Sequence, residues 1–187
     1  MQRDLVERAC TGDHEAFSEL ARLSIGRLYG IATLILRDVD RAQDAVQDAL
    51  VSAWKDMRAL RDPDAWDAWL HRLTVRACYK LAEKDRRRDR IELRVLPDPE
   101  PARRFDLAVS VAERDLMEQE LGRLPLDQRA VMVLHFYLDL PLSEVAVILD
   151  IPIGTAKSRL SRGLDALRAS MRDEPGFADM QARERTA

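Results

Sequence analysis

The sequence predicts an all-α protein of two small helical domains joined by a flexible linker. Three observations predict it. Its 187 residues leave room for one ordinary domain or two small ones. Gly and Pro are sparse, at seven and eight, while Ala, Leu, Arg, Asp and Glu dominate and the alternating β-branched runs that strands prefer are missing. Apolar residues recur at three- and four-residue steps on both sides of a single proline-rich break. At 47% hydrophobic and 34% charged, the chain can bury cores and is not disordered by composition.

In chain order, Asp13 can cap a helix that turns Ala16, Phe17, Leu20, Leu23, Leu28, Ile31, Ala32 and Ile35 inward. A second helix follows Asp38 or Asp40, with Ala42, Ala45, Val46, Ala49, Leu50, Ala53, Trp54 and Met57 on its apolar side. Pro63 disfavours helical geometry in Asp62 and suits the start of the next helix, which carries Trp66, Trp69, Leu70, Leu73, Ala77 and Leu81 on one face. Residues 1–90 form the first domain on this reading. Pro97, Pro99 and Pro101 alternate with acids, so residues 91–109 are a linker.

The second domain, residues 110–172, opens on a capping box, Ser110-Val111-Ala112-Glu113, ahead of Leu116, Met117, Leu121 and Leu124. A helix from about Asp127 to Leu138, a short helix opened by Ser143, a tight connection at Asp150–Gly154 and a final helix from Thr155 to about Met171 follow. Two helices joined by a few residues containing Gly, the second basic outside, form a helix-turn-helix domain. Ala146 is small where the pair must cross, and Gly154 is expected to relieve the backbone as the second helix begins. Residues 173–187 contain Pro175-Gly176 and read as a mobile tail.

Charge is unevenly spread despite a net −3. From Arg76 to Arg94 eight basic residues face four acids, and from Thr155 to Arg172 five face Asp165 alone. Asp38 to Asp56 runs the other way, with five aspartates against Arg41 and Lys55. Such stripes suit several charged partners. Lys157, Ser158, Ser161, Arg162 and Asp165 point one way on the last helix, flanked by Thr155 and Arg159. Arg and Lys bridge guanine acceptors in a major groove, Ser bonds base or phosphate, and a helix N-terminus favours phosphate.

Chemistry of other kinds finds little support. His14, His71 and His135 fall on different helices without metal-ligand spacing, and no phosphate-cradling loop or nucleophile elbow is present. Asp44 and Asp48, one turn apart, read as a partner-binding stripe instead of an acid–base pair. Neither a metal nor a cofactor is expected, nor an enzyme. Cys10 and Cys78 are too few for a disulfide framework. No apolar stretch approaches the ~20 residues of a membrane span, Ile31–Leu36 being the best; the expectation is a cytoplasmic protein without membrane insertion.

Leu124-Pro125-x-x-Gln128-Arg129-x-Val131, Leu134-His135, Glu144-Val145-Ala146-x-x-Leu149 and Pro152-x-Gly154-Thr155-x-Lys157-Ser158-Arg159-Leu160-Ser161-Arg162 together resemble the promoter-reading C-terminal domain of bacterial sigma factors. Asp44-x-x-Gln47-Asp48 with Trp54, and Trp69-Leu70, are similar to that family's other domain. Two such domains and a short linker resemble the extracytoplasmic-function group. The resemblance implies a subunit that joins core RNA polymerase and directs promoter recognition, melting and initiation. It implies that Asp44, Gln47, Asp48 and Trp54 meet the clamp of the largest polymerase subunit. Trp66, Arg76, Tyr79, Lys80, Lys84, Arg87 and Arg88 would hold the −10 element, and Thr155, Lys157, Ser158, Arg159, Ser161 and Arg162 would read the −35 element. An anti-sigma factor is a further expected partner. The chain departs from the family where Leu73-Thr74-Val75-Arg76 replaces an Ala-Arg-Asn step, and where Lys80 replaces a frequent Asp. The rival reading is a dimeric helix-turn-helix regulator that binds palindromes without polymerase.

Overall fold

The computed structural model describes residues 2–92 and 120–173, with side chains for 2–85 and 120–170. All regular structure among them is helical. The linker's residues beyond 92, the Ser110–Glu113 box and the tail beyond 173 lie outside the described residues.

Helix α1 (Gln2–Cys10) was not foreseen, yet Val6 and Ala9 bury its inner face against α2 (His14–Leu36). Asp13 caps α2 as expected, accepting from the backbone N–H of Glu15 and Ala16 at 3.0 Å. Along α2 the apolar pattern buries Ala16, Leu20, Leu28, Ile31, Ala32 and Ile35, but Leu23 faces solvent at 53% exposure. Asp38, not Asp40, caps α3 (Val39–Asp56), accepting from the Arg41 N–H. Two short 3₁₀ turns, Met57–Ala59 and Pro63–Ala65, lead to α4 (Trp66–Glu92). Asp62 is extended before Pro63, as proline geometry demands, and its carboxylate accepts from the Asp64 N–H. Helices α2, α3 and α4 pack on one another in a bundle, and Arg41 ties α3 to Asp85 of α4 at 2.8 Å.

In the second unit the described residues start with a helical turn at 120–123, followed by α5 (Leu126–Met132), which opens into a π-helical turn, Val133–Tyr137. Helix α6 (Leu142–Leu149) and helix α7 (Ile153–Asp173) follow. Ala156, on the inner side of α7, is fully buried, and Gly163 admits the Met132 side chain against its backbone.

The two units are packed together. Ala130, Val131, Val133, Leu134, Val145 and Ile148 join the same apolar core as the α2–α4 bundle. Arg129 crosses the seam, its Nη1 donating to the Ile35 carbonyl at 2.7 Å while Nη2 donates to Leu124 and Gly122. Burial, with Arg37 adding to it, lowers the guanidinium pKa to about 10.

Candidate nucleic-acid interface

The turn between α6 and α7 sets the recognition helix. Asp150 adopts a left-handed conformation (φ 56°), its N–H reaching the Val147 carbonyl while that of Ile151 reaches Ala146 at 3.0 Å. This is a Schellman closure, and Asp is one of the few side chains that tolerates it. Gly154, expected to supply that freedom, instead sits in the first turn of α7 without positive φ and with open space around it. The left-handed residue is Asp150 because the chain reverses at the end of α6, before Pro152 can begin the next helix.

On α7, Lys157, Ser161 and Arg162 are exposed. Thr155 and Ser158 are half-buried, and the Ser158 hydroxyl donates to the Thr155 carbonyl, so it is engaged on its own helix. Arg159 is only 23% exposed and pairs with Asp127 of α5 at 2.9 Å. Of the six expected −35 residues, three therefore have exposed side chains, while Arg159 is held by its aspartate.

Helix α4 is less uniform. Trp66 is 1% exposed, its ring edge-on to Phe17 and 5.8 Å from Trp69. Its expected place on the −10 surface is corrected: it is the largest side chain of the bundle core and offers no platform to a base. Thr74 and Val75, at the departure from the family's step, are buried too, the Thr74 hydroxyl bonded to the Leu70 carbonyl. Arg76, Lys80 and Lys84 are exposed. Tyr79 is half-buried beside Asp127 and Arg159, and burial foremost, then the Asp127 charge, pushes its phenol upward. Arg87 and Arg88 lie on the helical backbone beyond the described side chains. Arg72, absent from the residues expected on this surface, flanks Asp150 together with Arg76, at 3.5 and 4.0 Å. Its spacing of four from Arg76 was the available signal.

Asp44, Gln47 and Asp48 are exposed along α3, next to Val51 at 45% exposure. Trp54 is half-buried, its ring 4.2 Å from that of His14 and 5.0 Å from that of Phe17. Lys80 reaches Asp48 at 3.8 Å, so the acidic stripe and the cationic edge of α4 adjoin. Among the described residues no His, Cys, Asp and Glu cluster could hold a metal, and no helix is long and apolar enough to cross a membrane.

Comparison with known proteins agrees with this arrangement. The family described as Sigma-70 region 2 matches residues 20–88, and that described as Sigma-70, region 4 matches 114–167. The chain is 32% identical over 160 residues to the ECF RNA polymerase sigma factor SigM of Mycobacterium tuberculosis, covering 85% of this chain and 79% of that protein. The chain belongs to the extracytoplasmic-function sigma factors. This sigma factor is also 25% identical to SigW of Bacillus subtilis, over 92% of this chain and 98% of that one. A solved structure of the sigma factor RpoE in complex with the anti-sigma factor NepR, from Bartonella quintana, matches with a TM-score of 0.72 and 25% identity, over 84% of this chain and 98% of that chain.

Proposed function

We propose that this sigma factor joins core RNA polymerase, brings it to promoters and helps open the DNA, the covalent chemistry remaining the polymerase's own. The observation that carries this reading is the face of α7 on which Lys157, Ser161 and Arg162 are exposed and, among the described residues, without partners, behind a Schellman turn. Arg162 and Lys157 supply charge-assisted donors to guanine edges or phosphates of the −35 element. The exposed Arg76, Lys80 and Lys84, continued by Arg87 and Arg88, grip the −10 strand through its phosphates.

The stripe Asp44, Gln47 and Asp48 faces the clamp of the largest polymerase subunit, where opposite charge speeds encounter and fixes register. Trp54, wedged against His14 and Phe17, gives that surface a firm apolar edge. On this reading the domain roles are polymerase and −10 binding for residues 1–90 and −35 binding for 110–172. The protein acts in the cytoplasm, and an anti-sigma factor binds it; a solved relative is in complex with one.

The test is run-off transcription with purified core polymerase on genomic fragments. Promoter-specific starts that require the protein support the reading; their absence from every fragment refutes it.

A further inference from the structure

Helix α7 carries one large apolar side chain that is exposed among the described residues, Ile153, at 44%. It is the first residue of the helix. Lys157 and Ser161 follow it at steps of four, both exposed, so the three stand on one side of the helix. A single exposed isoleucine is ordinary on a protein surface, but this one lies at the leading end of the helix-turn-helix's second helix. Its neighbours Pro152 and Gly154 are exposed and uncharged, and a Cβ added at Gly154 would meet nothing within 4 Å. The first turn holds no acid. The helix therefore leads with a small tip that neither crowds a groove nor repels its phosphates.

We propose that Ile153 is a specificity-determining residue of this sigma factor, its side chain packing on the methyl group of a thymine in the −35 element. The inference rests on the promoter-reading function proposed above and deepens it. In a helix-turn-helix the N-terminal residues of the second helix meet base edges. On the major-groove edge only thymine adds an apolar group, its C5 methyl. The other bases present donors and acceptors there, which isoleucine would strip of water without returning a hydrogen bond. The side chain thus selects thymine by contact and rejects the others by uncompensated desolvation.

Nothing else in the first turns competes for that edge. Thr155 is half-buried, the Ser158 hydroxyl is bonded to its own helix, and Arg159 is held by Asp127. The register of α7 also says where the thymine lies. Arg162 stands nine residues further on, about 13.5 Å along the axis at 1.5 Å per residue. With base pairs 3.4 Å apart along the duplex, that distance is about four base pairs. Ile153 and Arg162 therefore read opposite ends of one short stretch, the first by an apolar contact and the second by charge-assisted donors.

The test is equilibrium binding of the holoenzyme to a duplex promoter found by run-off transcription, with each −35 thymine replaced in turn by deoxyuridine. That change removes the methyl and keeps the pairing and the O4 acceptor. At one thymine the wild type should lose about fourfold in affinity, the worth of one buried methyl group. Ile153→Ala alters an exposed position and favours helix, so its circular dichroism should be unchanged. It should bind the unmodified promoter about fourfold more weakly and no longer distinguish thymine from uracil at that position, whereas Lys157→Ala should keep the distinction. Uracil effects that are equal in wild type and Ile153→Ala at every position overturn the proposal. So does a coupled thymine adjacent to the base whose discrimination Arg162→Ala relaxes, or a promoter with no thymine about four base pairs from it. A wild-type holoenzyme that initiates at no promoter would instead retire the sigma reading, and this inference with it.

Discussion

Replacing Arg129 with methionine tests how the seam is held. The guanidinium donates to three carbonyls, Ile35 at 2.7 Å, Leu124 at 2.8 Å and Gly122 at 3.2 Å. No carboxylate among the described residues pairs with it, and its Nε has no partner. Charged donors contribute about 1.5–3 kcal/mol each, so three bonds supply about 4.5–9 kcal/mol. Several kcal/mol of that is offset by holding an unneutralised cation half out of water. About 2–4 kcal/mol remains, which for a chain of this size lowers the melting temperature by about 5–15 °C. Arg129→Lys, a single ammonium without the planar fork, should recover only part of the loss. The measurement is thermal unfolding followed by circular dichroism at 222 nm. A melting temperature for Arg129→Met within about 2 °C of wild type would refute the reasoning.

Three further outcomes are expected. Arg162→Ala should cost about 1–3 kcal/mol on the preferred −35 sequence and relax discrimination there, whereas Lys157→Ala should weaken all sequences alike, as read by anisotropy of the holoenzyme on a promoter series. Asp48→Arg places a cation beside Lys80 and reverses the acidic stripe; binding to core polymerase should fall about tenfold, mainly in association rate and most at low salt, with helicity unchanged. His71 is 6% exposed, and burial foremost, then Arg27, lowers its pKa, against the pull of Asp67. The unfolded chain then binds the proton more readily, so stability is whole above the ordinary value of 6.5 and declines as pH falls toward the folded value. Melting temperature should drop between pH 7 and pH 5, and less steeply in His71→Gln; equal slopes would remove His71 from the account.

Local signals were legible and distant ones were not. The caps at Asp13 and Asp38 follow from residue types within three positions of the N–H groups they serve. The buried stripe of α3 follows from its steps of three and four. Helix α1 was passed over because nine residues with two buried positions make a faint pattern, and its stability comes from α2. Leu23 shares the apolar register of α2 yet faces water, since periodicity names a face and not what covers it. The seam was illegible for the same reason: Arg129 and Ile35 are 94 positions apart, and neither Gly30 of α2 nor Gly122 announces the side chain laid over it, Tyr137 and Arg37 respectively. Trp66 stands both on the apolar face of its helix and, by resemblance, among the −10 residues, and the structure gives it to the core, where the apolar periodicity puts it.

The π-helical turn at Val133–Tyr137 gives the protein an unusual kind of adjustable part. A π turn is an α-helix carrying one surplus residue. Deleting a single codon there would let α-helix run straight through, swinging Tyr137 by about 100° around the axis and off α2. Adherence between the halves is therefore set by segment length as well as by side-chain identity, and relatives one residue shorter at this point should part more readily while keeping every exposed charge of the last helix.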